Sequence, residues 1–243
     1  MNAHWQNGHK EYHKEQKQKA KQIREGTLPE RTRSIAEAAA RDAEATGDEH
    51  QKRFADALAL MTEGDHNAAA KAWRKIIKQW PNAPSAYGNL AVVLQQSRRL
   101  VEAVPMFLKA MDLAEEGTKG WAKSAAGAFD LLKSLDCHEV PKPEWWNDEA
   151  LKALSARVVA VAPDESAPCI MRAYVLGAGS VWQPGSGSWD VGPRTAAEIK
   201  EAAKWFRRAA RTCHVPATEQ RYEGKAHECD EIADPLLAKE EAE

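Results

Sequence analysis

Between residues 50 and 133 the sequence repeats itself at an offset of 34, and this period limits the fold more tightly than any other feature. With Pro84 as position 1, Tyr87 falls at position 4, Leu90 at 7, Ala91 at 8, Leu94 at 11, Ala103 at 20, Phe107 at 24 and Ala110 at 27. Adding the offset places Trp121 at 4 and Ala125 at 8. Subtracting it places Ala57 at 8, Leu60 at 11, Gly64 at 15, Ala69 at 20, Trp73 at 24 and Pro81 at 32. Small residues at 8 and 20 let two helices of a pair approach closely, while large ones at 4, 11 and 24 fill the space towards the next pair. One such pair cannot bury its own apolar face, so neighbouring pairs must stack. Pro81 is then punctuation between units.

These residues resemble the tetratricopeptide repeat family, whose pattern carries a large residue at 4, small ones at 8, 20 and 27, and an aromatic at 24. The resemblance is clear over about residues 50–133 and degenerate over 147–216. It implies an all-α fold, a right-handed superhelical array of antiparallel helix pairs with flanking helices. Two departures stand out. Asp56 occupies position 7, usually apolar, and Pro105 falls at position 22, where the missing N–H should make the second helix begin late or bend.

The pattern divides the chain into four parts. Residues 1–26 form a basic, polar arm without an apolar stripe, expected as a frayed helix or disordered segment. Residues 27–133 hold an N-terminal helix, bounded by Thr27 and Gly47, then two and a half to three repeats. Residues 134–216 hold degenerate repeat-like helices interrupted by a Trp- and Gly-containing loop at 177–194. Residues 217–243 supply a capping helix, with Tyr222, Ala226, Cys229 and Ile232 on one face, and an acidic tail that should fray. Gly224 weakens that helix.

The net charge of -2 conceals opposite ends: residues 1–33 carry eight Lys and Arg against four Asp and Glu, and residues 217–243 three against nine. No apolar run approaches the roughly 18 residues of a membrane span, and the first residues lack a signal-peptide core. Four cysteines without a CxxC pair argue against a disulfide framework. A cytoplasmic protein is expected, with no membrane partner and no cofactor.

If first helices of successive pairs line a concave groove, that groove is built from Phe54, Leu58, Ser85, Asn89, Val92, Gln96, Lys119, Lys123, Ala126 and Phe129. An apolar floor ringed by amides and ammonium groups suits a peptide or partner segment with apolar anchors and a carboxylate. The expected function is non-enzymatic: a scaffold or adaptor for protein–protein interaction. One subclass of the family holds acidic C-terminal tails of chaperones in a two-carboxylate clamp. The resemblance implies half of such a clamp, at Asn89, Lys119 and Lys123; where the family has a further lysine and asparagine, this chain has Phe54 and Leu58. A co-chaperone-like role is thus an alternative, as is a structural subunit using Trp182 and Trp189 of the loop as partner anchors. Those two tryptophans are read first as folding back onto the array.

Other residues carry less. Cys213-His214 and His227-x-Cys229 are zinc-ligand types without zinc-site spacing, so Cys229 is assigned to the core, the histidines to the surface, and no metal is expected. His4, His9 and His13 belong to a solvated arm. The glycines around Trp182 follow a helix and lack a closing Lys-Ser/Thr, so nothing supports a phosphate loop there. Trp5 and Tyr12 among lysines offer only a diluted basic field for nucleic acid. No GxSxG, HExxH or Cys/His motif points to hydrolysis.

Overall fold

Capping residues punctuate the chain at the places where its helices begin. In a computed structural model, which describes residues 37–38, 48–182, 189–213, 215–240 and 242, these segments form nine α-helices and no strand; only an isolated bridge joins Ala178 to Trp182. The N-terminal arm, all of the helix expected after Thr27 except the helical Glu37 and Ala38, and the tip of the Trp loop lie outside the described residues. The helices are α1 (Glu49–Thr62), α2 (His66–Gln79), α3 (Pro84–Gln96), α4 (Leu100–Leu113), α5 (Lys119–Leu132), α6 (Asp148–Val161), α7 (Ser166–Gly177), α8 (Ala196–Thr212) and α9 (Pro216–Glu240), with a single 3-10 turn at Leu135–Cys137.

Side-chain oxygens accept from the exposed N–H groups at several starts: Asp65 from Ala68, Thr118 from Trp121 and Asn147 from Ala150. Thr195 and Glu198 close a reciprocal capping box on α8. The 34-residue offset is visible in the helix bounds, since α2 and α4 begin and end 34 residues apart.

Two compact units make up the described chain. The first comprises the described residues through Asn82 together with Val92–Ser97, and α1 packs against α2 within it. Ala57, Ala69 and Trp73 are fully buried there, as the small-small-aromatic pattern requires. The Trp73 ring meets Phe54 edge-on at 4.6 Å, and its indole N–H points at the Met61 sulfur.

The second unit comprises Ala83–Ala91 and Arg98–Glu243, and its helices pack in chain order: α4 on α5, α5 on α6, α6 on α7, α7 on α8 and α8 on α9. Contact of α5 with α7 closes the middle of this set. Glycine creates the closest approach: a Cβ on Gly127 of α5 would lie 2.6 Å from the Phe107 ring of α4. Pro105 does not delay α4, which begins at Leu100 and runs through the proline. Pro105 lies on the exposed side of α4, where water can replace the lost helix donor.

The terminal helix covers α8. Tyr222 stacks on Phe206 at 6.1 Å, and Ala226, Cys229 and Ala233 are buried behind it. Asp230 joins Lys200 and Arg207 of α8; burial pushes its carboxyl up, but hydrogen bonds from these two cations hold it below the usual range. Gly224 does not end α9, whose helix continues through Pro235 to Glu240.

Candidate peptide-binding face

The face expected to hold a ligand starts with local helix chemistry. Thr118 caps α5 by accepting from Trp121 at 3.3 Å, which fixes Lys119 as the first helical residue and Lys123 one turn further on the same side. Both lysines are exposed, whereas Trp121, Ala122 and Ala125 between and beyond them are buried. Two ammonium groups beside a helix N-terminus, itself the positive end of the peptide dipoles, make a local field that favours a carboxylate.

A seam of small groups brings α3 alongside. A Cβ placed on Gly88 would lie 3.8 Å from both Ala110 of α4 and the Ser124 hydroxyl of α5. Ser124 donates to the Gly120 carbonyl at 2.9 Å, which satisfies its hydroxyl within α5. Asn89, next to Gly88, is half-buried.

Charge on this face is already partly matched. The Lys123 ammonium pairs with Glu165, which stands just before the first residue of α7, at 3.0 Å. Just before α5, Glu116 pairs with Arg157 of α6, whose guanidinium lies 5.8 Å from the Trp121 ring centroid. Lys119 has a more open setting.

The other groove residues are distributed unevenly. In the second unit Ala126 and Phe129 are core: Phe129 has no exposed surface and packs against Trp146 and Trp189 at 5.7 and 5.9 Å. In the first unit Phe54, Leu58 and Val92 are half-buried and Gln96 is exposed.

The loop tryptophans fold inward. Trp189 is 5% exposed and donates to Asp148 at 3.0 Å, while Trp182 is half-buried and donates to the Tyr174 carbonyl at 2.7 Å. The two rings lie 5.7 Å apart. Arg194, with a side chain 1% exposed, closes the loop by donating twice to Asp148 and also to the Val175 and Gly192 carbonyls. Burial pushes the Asp148 carboxyl up, yet hydrogen bonds from Arg194 and Trp189 outweigh it and hold the group below the usual range. This buried assembly, and the pairing of Lys123 with Glu165, join residues 46 and 42 positions apart and carry no signal in any local motif.

Three buried thiols are poor nucleophiles. Burial pushes Cys137 and Cys169 up to about 11 and Cys229 to about 12. Cys229 is fully buried, while exposed His227 turns to Glu231 at 3.3 Å, so the two residues of His227-x-Cys229 face different ways. His214 lies outside the described residues, and among those described no three His, Cys, Asp or Glu residues gather as metal ligands. No described helix is long and apolar enough to cross a membrane. No family model matches the chain, and no curated protein matches its sequence.

Proposed function

We propose that the chain is a non-catalytic protein-interaction module, a cytoplasmic scaffold or adaptor of tetratricopeptide-like superhelical form that holds an acidic peptide segment against α3 and α5. The observation that carries this reading is the placement of Lys119 and Lys123. They stand exposed, one turn apart, at the start of a helix whose opposite side is locked into the core. A carboxylate approaching there gains two charge-assisted bonds and the helix N-terminal field together. The shared 34-residue spacing of α2 and α4 supports the repeat assignment.

Binding through a partial chaperone-tail clamp is a narrower form of the same reading, resting on Asn89, Lys119 and Lys123. A structural role through the Trp loop has less support, because Trp189 is turned into the core. A peptide array probed with wild type and with the Lys119→Ala/Lys123→Ala variant tests the proposal. Acidic peptides retained by wild type should be lost from the variant; equal retention by both proteins rejects the site.

A further inference from the structure

A second surface of the same unit has a different character. The connection after α5 is longer than a turn and carries Pro141 and Pro143, which keep it from continuing as helix beyond the 3-10 turn. Between this segment and α4 opens a cavity of about 540 Å³, with Val101, Val104, Pro105 and Leu108 on one side and Val140 and Pro141 on the other. That volume lies within the range of ligand clefts, roughly 300–1,000 Å³. Val101 is 56% exposed, the greatest exposure among the large apolar side chains described.

Proline also leaves the backbone of this wall incomplete. In an unbroken helix the Val101 carbonyl receives the N–H of residue 105; here residue 105 is proline and has none to give. The cavity is therefore walled on this side by apolar side chains of a helix turn that already lacks one internal hydrogen bond.

The remaining lining is Asp136, His138 and Glu139, and it contains no Lys or Arg. Glu139 is 88% exposed and lies 3.7 Å from the His138 Nε2, while His138 is anchored by its Nδ1 to the Leu135 carbonyl at 2.8 Å. The nearby Lys142 does not neutralise this rim. Its ammonium donates to the Leu132 and Cys137 carbonyls at 2.8 and 3.2 Å and lies over the Trp146 ring. An acidic rim around an apolar floor calls for the opposite charge in the occupant.

We infer that the groove between α4 and residues 135–141 binds a short peptide of another protein in which apolar side chains stand beside a lysine or arginine. The apolar residues enter between Val101, Pro105 and Pro141, and the cation meets Glu139 and Asp136. The site is separate from the lysines of α5 and opposite to them in charge preference.

Selection of a phage-displayed random dodecapeptide library on the immobilised full chain tests the inference. Enriched peptides should pair two apolar residues with Lys or Arg. Their affinity should fall about tenfold in Val101→Gln and again in Glu139→Lys, and stay unchanged in Lys119→Ala/Lys123→Ala. Both groove substitutions replace exposed side chains, and unchanged far-UV circular dichroism confirms that they fold. Replacing the peptide cation by glutamate should restore binding to Glu139→Lys. The inference is overturned if nothing is enriched over a tag-only surface, if enriched peptides lack basic residues, or if neither groove substitution weakens them. A concentration-dependent dimer in sedimentation that Val101→Gln abolishes would give the groove to a second copy of the chain and equally overturn it.

Discussion

Gly64 and Arg98, separated by one 34-residue period, share a left-handed backbone conformation, with φ of 78° and 64°. Each ends the turn after the first helix of its pair. Glycine adopts this conformation freely, whereas a residue with a Cβ pays roughly 1–2 kcal/mol for it. Gly64→Ala should therefore lower the urea midpoint by the equivalent of about 1 kcal/mol, while Arg98→Gly should not lower it. Equal losses in the two variants would show that the turns are not equivalent.

Gly127 rests against the Phe107 ring, so an alanine there would push its methyl to within 2.6–2.9 Å of ring carbons. Overpacking of this kind costs about 1–3 kcal/mol. Urea unfolding should show that loss for Gly127→Ala, and the double variant Gly127→Ala/Phe107→Leu should lose less than the two single variants combined. Strict additivity would mean that the two positions do not share this contact.

The Arg194–Asp148 pair holds the Trp loop from inside, and removing one partner of a buried pair costs about 3–5 kcal/mol. Asp148→Asn should lose stability of that order at neutral pH. Because the folded carboxyl is depressed, its contribution is present above the ordinary carboxylate pKa and disappears as pH falls through the folded value. Thermal or urea unfolding of wild type and variant should consequently converge in acid below about pH 4. A difference that stays constant down to strong acid would contradict the pairing.

The repeat pattern was legible because its residues act locally. Ala57, Ala69, Ala91, Ala103 and Ala125 recur where helices close on one another, and all five are fully buried. Tyr222, Ala226 and Cys229 marked the capping face for the same reason, although Ile232 is only half-buried and Ala233 takes the inner position. Pro105 misled because its effect depends on which side of the helix meets water. The residues expected to line a groove were less legible. Register alone placed Phe129 on the ligand face, but Trp146 and Trp189, supplied from later segments, cover it. Glu165 at Lys123 and Asp148 at Arg194 come from distant helices, and only folding puts those charges together.

The most direct test of the peptide-binding account is titration of a fluorescein-labelled peptide, two leucines followed by two aspartates and a free C-terminal carboxylate, read by fluorescence anisotropy. Charge-assisted bonds are worth about 1.5–3 kcal/mol, so Lys119→Ala/Lys123→Ala should weaken binding by tenfold or more, on the order of 1.4 kcal/mol per decade. Glu165→Gln should strengthen it by roughly two- to fivefold, because Lys123 no longer has to leave its intramolecular carboxylate. Affinity should also fall as salt rises. Binding that is indifferent to both sets of substitutions would contradict the assignment of this face.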